Sequence, residues 1–265
     1  MRFSKWQALG NDYLLVERAE LAVPLTPERV RALCDRHYGV GADGLLEIRS
    51  QVGVEAHVEI WNPDGSTAEL SGNGTRIAAR WLAGRIRGEA AKEEEEALRI
   101  LVGGRLTVAV VSGSSVRMHL GLVHVGANER LDVDGEELEL TPVLVGNPHA
   151  VLRREPSRRD LLRLGPLIER HARFPQRTNV QLVRVESRSE LTVAVWERGA
   201  GETLSSGTSA VAAAAAAVRN GWAESPVAVR LPGGEVRVEV VGDTAYLTGP
   251  AEEVFRGELP DEPAV

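Results

Sequence analysis

The sequence predicts an α+β protein built as two pseudo-symmetric lobes, and two observations carry that prediction. The first is a repeated motif. Glu69-Leu70-Ser71-Gly72-Asn73-Gly74-Thr75-Arg76 runs into Ile77-Ala78-Ala79-Arg80-Trp81-Leu82, and Glu202-Thr203-Leu204-Ser205-Ser206-Gly207-Thr208-Ser209 runs into Ala210-Val211 and an alanine tract. Each motif sets a serine where a strand hands over to a helix, and repeated units mean repeated structure. The second observation is that the second half repeats the element order of the first. At 265 residues the chain suits one large domain or two small ones.

The elements follow from local signals. Phe3 to Trp6 and Tyr13 to Val16 read as strands, with Ala8-Leu9-Gly10-Asn11-Asp12 turning between them. Thr26-Pro27-Glu28 is a helix start, with an N-cap, a proline at N1 and an acidic first turn, and the helix is expected to reach His37. Leu45 to Ile48 and Ala56 to Trp61 are strands, then Asn62-Pro63-Asp64-Gly65-Ser66 turns the chain into the first serine motif, whose helix is expected to reach Leu82. Glu93 to Glu96 is a charge run expected at a solvated loop edge. Leu98 to Leu122 reads as three strands joined by Gly-Gly and Ser-Gly-Ser turns. The loop at Ser112-Gly113-Ser114 is the expected boundary, giving an N-terminal lobe over 1–113, to which 250–265 can return, and a C-terminal lobe over 114–249. The second half then runs through a strand at Val143 to Val145, a helix from Arg158 to Arg170, and strands at Asn179 to Val185 and Leu191 to Trp196. The second serine motif follows with a helix to Arg219, then strands at Val227 to Leu231, Glu235 to Val241 and Thr244 to Leu247. Each half thus has many strands and one long helix. An alanine-rich helix lets a sheet approach closely, so it suits a place wrapped by strands.

Composition narrows the function. The net charge of −7 argues against a nucleic-acid footprint. The longest apolar run, Ala210 to Val218, is too short to span a bilayer, so no membrane partner is expected. Met1-Arg2-Phe3-Ser4-Lys5-Trp6 carries no apolar signal-peptide region, which makes a cytoplasmic location the expectation. Cys34 is the only cysteine, so no disulfide forms within the chain, and its place on a helix suggests a buried core thiol. The six histidines lack metal-ligand spacing and one thiol cannot build a thiolate site, so no metal is expected.

Two familiar patterns do not apply. Gly39-Val40-Gly41-Ala42-Asp43-Gly44 has the spacing of a dinucleotide loop, but a helix precedes it and a strand follows, the reverse of what that loop needs. Neither serine sits in G-x-S-x-G, so a hydrolase elbow is unsupported.

The informative residues are amides, glycines and a few charges. Asn11, Asn62, Asn147 and Asn179 lie at strand–turn junctions, as do Asn147-Pro148-His149 and Glu197-Arg198-Gly199 in the second half. Any one asparagine there can simply shape a turn. Four of them beside two serine loops suit a ligand with both carboxylate and ammonium groups, because an amide accepts and donates. Arg198 can clamp a carboxylate bidentately. Two helix N-termini can also grip an anion.

These motifs resemble the diaminopimelate epimerases nearly end to end. The shared pieces are Phe3-Ser4-Lys5 through Leu9-Gly10-Asn11-Asp12, Asp35 through Gly44, Trp61 through Ser66, Ser71 through Arg76, Val145 through Val151, Arg177-Thr178-Asn179-Val180 and Glu197 through Thr203. The resemblance implies two similar lobes, each a barrel-like, mostly antiparallel sheet around a central helix, with an amino-acid substrate between them. It implies no cofactor, and the family's dimers make a homodimer the expected assembly. It implies inversion of a carbon α to a carboxylate by two opposed bases. The reacting carboxylate is expected on the helix-start amides of Gly72, Asn73, Gly207 and Thr208, and Asn147 is a further substrate-binding candidate. Asn11, Asn62, Asn179 and Arg198 match the positions that hold the distal amino-acid end. His149 and Glu197 match residues beside the bases.

The chain departs from the family at the bases themselves. Both cysteine positions are serine, Ser71 and Ser206. A thiol has a pKa of about 8.5, whereas a hydroxyl lies near water at about 15.7. The gap of roughly 7 units is on the order of 10 kcal/mol, so a serine alkoxide is not a resting base. A serine can act as a relay, passing its proton to His149 or Glu197 while taking one from substrate. Three readings fit these residues: a working epimerase or racemase whose serines are relays or whose direct bases are His149 and Glu197, an amino-acid binder without turnover, and an isomerase or racemase of the same fold acting on another substrate.

Overall fold

The computed structural model describes residues 1–68, 71–87 and 97–260. The chain divides into two compact units, Met1–Met118 with Gly249–Val265, and His119–Thr248. Both are α+β.

In the first unit β1 (Arg2–Ala8), β2 (Asn11–Glu17), β3 (Gly44–Val52), β4 (Glu55–Trp61), β5 (Thr67–Ala68), β6 (Ala97–Val102), β7 (Arg105–Ser112) and β8 (Ser115–Leu122) accompany α1 (Pro27–Cys34) and α2 (Gly72–Arg87). The second unit holds β9 (His124–Val125), β10 (Glu129–Val133), β11 (Glu136–Leu144), β12 (Pro148–Arg153), β13 (Asn179–Ser187), β14 (Glu190–Glu197), β15 (Gly201–Thr203), β16 (Val227–Leu231), β17 (Gly234–Val241) and β18 (Thr244–Pro250), with α3 (Arg158–Glu169) and α4 (Gly207–Arg219). A last strand, β19 (Glu252–Glu258), pairs with β1 of the first unit. The strands β8 and β18 carry the chain from one unit to the other.

The two units share a topology. In the first, β1–β2 and β3–β4 are antiparallel, while β2–β3 and β4–β6 are parallel, with α1 and α2 as their crossovers. In the second, β11–β12 and β13–β14 are antiparallel, while β12–β13 and β14–β16 are parallel, crossed by α3 and α4. Ladder register makes the correspondence residue by residue. Tyr13 opposes Gly44, Leu45 opposes Trp61, and Trp61 opposes Thr67. His149 opposes Asn179, Val180 opposes Trp196, and Trp196 opposes Glu202. Thr67 therefore corresponds to Glu202, and four residues further on Ser71 corresponds to Ser206. By the same count Tyr13 corresponds to His149, and Asn62 to Glu197.

Burial explains which helix is central. Gly207 to Ala217 of α4 are all buried, and the helix packs on β11, β12, β13, β14, β16 and β17. A helix apolar on every side needs such a wrapped place, and its alanines keep the sheet close. The residues from Gly72 to Ala79 of α2 are likewise buried, and α2 packs on β1, β4, β6 and β7. The shorter helices cover the other faces. Val30, Leu33 and Cys34 of α1 join Phe3, Leu14, Val16 and Leu45 in one core. Leu161, Leu164 and Ile168 of α3 join Leu152, Val180 and Leu182 in another.

Several boundaries differ from the sequence expectation. The helix expected to reach His37 ends at Cys34, because the Asp35 carboxylate accepts the backbone N–H groups of His37 and Tyr38 and bends the chain into a turn. The helix expected to stop at Leu82 continues to Arg87. The strands β9, β10, β12 and β19 were not anticipated, and β11 begins at Glu136 rather than Val143. β19 pairs with β1 from the other end of the chain, β9 has two residues, and β10 and β12 are short strands that pair with β11 on either side, so the alternation of each alone marks it weakly. The Glu93–Glu96 run and the Glu69-Leu70 start of the first motif lie outside the described residues. Among the described residues no helix is long and apolar enough to cross a membrane.

Candidate active site

In the first unit, Ser71 is the N-cap of α2. Its Oγ accepts the Gly74 N–H at 3.0 Å and its carbonyl accepts from Thr75. This is the ordinary way to satisfy an orphan amide at a helix start. Gly72 and Asn73 open the helix and are buried. Asn73 is wired on both sides. Its Oδ1 accepts from Arg76 Nη2 at 2.7 Å and its Nδ2 donates to Asn11 Oδ1 at 3.0 Å. Asn11 Nδ2 then donates to Asp43 Oδ2 at 3.0 Å. The chain of donors fixes the orientation of both amides, since reversing either would set two donors or two acceptors face to face. Asp43 and Asp12 are held in turn by Arg36, with Nη2 at 2.6 Å from Asp43 and 2.7 Å from Asp12. Burial alone would raise the Asp12 carboxyl, but hydrogen bonds from Arg36 and Lys5 outweigh it and lower it to about 2. Asn62 lies apart from this network, its Nδ2 donating to Ser66 Oγ at 2.9 Å across the turn.

Arg76 is fully buried, and burial pushes its guanidinium down to about 10, so it stays a cation at neutral pH. Its Nε donates to the Pro250 carbonyl, while its Nη1 has no partner.

In the second unit, Ser206 is the N-cap of α4 by backbone, with φ −145° and ψ 121°, yet its side chain does not cap. Its Oγ donates instead to Glu197 Oε2 at 3.2 Å. Burial raises the Glu197 carboxyl above its ordinary value, and the hydroxyls of Thr203 and Ser206 only partly oppose that. A carboxylate poised upward, with a hydroxyl in reach, is the arrangement of a base working through a relay. The α4 start at Gly207 and Thr208 receives no cap from the Ser206 side chain, and a helix N-terminus favours an anion.

His149 is buried beside this turn. Its Nε2 pairs with Asn147 Oδ1 at 2.9 Å and its Nδ1 receives Gln181 Nε2 at 3.0 Å. Burial, and then the charge of Arg198, push the imidazole down to about 3. The ring is neutral, with Nε2 carrying the proton. Gln181 also donates to Ser209 Oγ at 3.0 Å. Asn179 staples the Arg198 loop, its Oδ1 accepting the Arg198 N–H at 2.8 Å and its Nδ2 donating to the Pro148 carbonyl at 3.3 Å. Arg198 Nη1 donates to the Gln176 carbonyl at 3.0 Å.

Within each unit the fold thus gathers most of the residues singled out by sequence. Asn11, Ser71, Gly72 and Asn73 converge in the first unit. Asn147, His149, Asn179, Glu197, Arg198, Ser206, Gly207 and Thr208 converge in the second. Ser206 meets Glu197, not His149.

A family-wide pattern for diaminopimelate epimerase matches residues 3–125 and 141–254. The chain belongs to the diaminopimelate epimerase family. A diaminopimelate epimerase of Desulfitobacterium hafniense (strain DSM 10664 / DCB-2) is 40% identical, covering 98% of each chain. That of Nostoc punctiforme (strain ATCC 29133 / PCC 73102) is 37% identical over 98% of this chain and 99% of its own. Solved structures show the same fold at lower identity. A probable proline racemase from Agrobacterium radiobacter K84 superposes with a TM-score of 0.73 at 16% identity, covering 99% of this chain and 94% of that one. A Bacillus anthracis phenazine biosynthesis protein of the PhzF family gives 0.70 at 16% identity, covering 98% and 99%.

Sequence reasoning missed the residues that hold this family's loops in place here. Glu169 is buried at the end of α3, where its Oε2 accepts from Trp196 Nε1 at 2.8 Å and its Oε1 accepts the Gly199 N–H at 3.1 Å. It anchors the loop that bears Arg198. Gln181, Asp43 and Arg76 were also missed. Asp43 and Arg76 lie inside quoted motifs, but their roles depend on partners brought in by the fold, Asn11 and Asp12 for Asp43 and the Pro250 carbonyl for Arg76, while Gln181 reaches His149 and Ser209.

Proposed function

We propose that the chain is a working isomerase that epimerises diaminopimelate, from the LL to the meso form, by two-base α-proton transfer. Ser71 serves one face of the α-carbon and Ser206 the other, each as a relay rather than a resting base. One observation carries the reading. The two serines stand at register-equivalent positions of a repeated topology, and Ser206 already donates to a buried carboxylate. Membership of the family and the naming of its relatives support the substrate. The uncapped start of α4 suits the reacting carboxylate, and the amides and charges at Asn11, Asn62, Asn147, Asn179 and Arg198 suit a ligand bearing carboxylate and ammonium groups. The reading assigns every proton movement to side chains. It extends to a cytoplasmic enzyme and a homodimer, the latter open to light scattering.

A second reading is favoured by the hydroxyls themselves: the chain binds the amino acid without turning it over, because serine is so much weaker an acid than cysteine. Incubation with LL-diaminopimelate in deuterium oxide separates the two. Meso product with α-deuterium supports epimerisation. Thermal stabilisation by the ligand without deuterium uptake supports binding alone. No stabilisation and no exchange would sink both. Replacing both serines by cysteine raises turnover by orders of magnitude if the loops are in working geometry.

A further inference from the structure

Ser71 has a protic neighbour that no sequence pattern marked. Tyr13, buried on β2, places its Oη 3.0 Å from Ser71 Oγ. Ser71 Oγ already accepts the Gly74 N–H. A serine hydroxyl has one donor and two acceptor sites. When Tyr13 donates, both acceptor sites are filled and the Ser71 O–H is left to donate elsewhere. When Tyr13 is a phenolate, the Ser71 O–H turns toward it and one lone pair opens. The same two oxygens thus have an acid state and a base state.

The fold makes room for this pair. Tyr13 lies opposite Gly44 in the parallel β2–β3 ladder. A Cβ at Gly44 would come within 2.7 Å of Tyr13 Cε1 and 2.7 Å of the Trp61 carbonyl. The backbone at Gly44 has no left-handed φ, so the glycine is there for the ring's space and not for its own conformation. Arg76, the buried cation of α2, lies within electrostatic reach of Tyr13. Among the described residues, Lys5, Asp12, Arg36 and Asp43 pair among themselves. Asp12 points to the opposite face of β2 from its neighbour Tyr13.

The repeat sharpens the point. Tyr13 occupies the position that His149 holds in the second unit, and Glu197 the position that Asn62 holds in the first. Among the described residues, each serine has one titratable side chain bonded to it, taken from a different place in the repeat.

We propose that Tyr13 is the proton partner of Ser71, as Glu197 is of Ser206. The proposal rests on the two-base reading above. In one direction Ser206 Oγ takes the α-proton as its own proton passes to Glu197. The electron pair left on the α-carbon takes the Ser71 proton, and the Tyr13 O–H proton restores Ser71. Glu197 ends neutral and Tyr13 ends as phenolate, so one negative charge has moved and none is lost. The reverse direction runs the same steps backward. Tyr13 acts through Ser71 and is a positioning residue in that sense.

The test is Tyr13→Phe, which keeps the ring. The expected result is a fall in kcat of about 100-fold or more, KM within about twofold, and loss of the alkaline limb of the kcat–pH profile. One stereoisomer should still exchange its α-proton for deuterium without inversion, through Ser206 and Glu197. Gly44→Ala, which displaces the ring, should reproduce the fall. Unchanged kcat and pH profile in Tyr13→Phe overturns the proposal. A readout independent of substrate is the ultraviolet titration of Tyr13, identified by its absence in Tyr13→Phe. Ser71→Ala removes the hydroxyl that donates to the phenolate, a charge-assisted bond, so the Tyr13 midpoint rises. An unmoved midpoint overturns the pair whether or not diaminopimelate is turned over. A shifted midpoint with no exchange in the wild type supports the pair and sinks only the substrate reading.

Discussion

Ser206 donates to Glu197 across 3.2 Å, and its hydroxyl points there rather than capping α4. An N-cap hydroxyl usually accepts from the helix and contributes about 1 kcal/mol to stability. Here that contribution is forgone in favour of a contact with a buried carboxylate. The Glu197 base form is needed to receive the serine proton, and burial raises its carboxyl. The acid limb of kcat should therefore lie above the ordinary carboxylate range. Glu197→Gln should abolish that limb and lower kcat by about 100-fold or more, with a modest change in KM. A kcat–pH profile of the two proteins checks it.

His149 makes stability depend on pH. Its imidazole sits at about 3 in the folded chain, against an ordinary value of 6.5. Between those values the unfolded chain binds a proton that the folded chain refuses. Stability from this group is therefore full above about 6.5 and falls as the pH drops toward 3. The loss is on the order of a few kcal/mol across the window. Urea unfolding at pH 7 and pH 4.5 should show a smaller difference for His149→Gln than for the wild type. Equal differences would mean that other groups carry the acid sensitivity.

Gly165 lies against the indole of Trp196, with room for a hydrogen and nothing larger. An added Cβ would meet Trp196 Cγ and Cδ2 at 2.6 Å. The indole also donates to Glu169, which holds the Gly199 N–H. Gly165→Ala should destabilise the chain by about 1–3 kcal/mol through overpacking. It should also weaken substrate binding, since it displaces the anchor of the Arg198 loop. Thermal melting and KM measured together separate the two effects.

Cys34 should be silent. It is buried, and burial pushes its thiol up to about 11, so almost no thiolate exists at pH 8. A thiol reagent should label it only under denaturing conditions, and Cys34→Ala should leave kcat unchanged. Rapid labelling of the native protein would contradict the packing of α1.

Much of the site was legible because its signals are local. Asn62-Pro63-Asp64-Gly65-Ser66 announces its turn, and the structure closes it with bonds from Asn62 to Ser66 and from Ser66 to Asp64. Thr26 and Pro27 announce α1, and the Thr26 hydroxyl does accept from Arg29. The alanine tract announces a buried helix, and α4 is buried on every side. The end of α1 was misread because helical character persists past Cys34, while the Asp35 side chain captures two amides and breaks the helix.

The amino-acid order by itself determined the repeat, the two serine turns and the collinear motifs of the family, because turns, caps and small-residue helices are set by neighbours in the chain. Tertiary structure alone decided which partner each serine receives. Tyr13 reaches Ser71 from 58 residues away because β2 and β3 run parallel and Gly44 leaves space for its ring. His149 is kept from Ser206 because Asn147 and Gln181 hold both of its nitrogens. Proton partnership depends on distances of about 3 Å between side chains on different strands, and those distances are set by sheet register and burial.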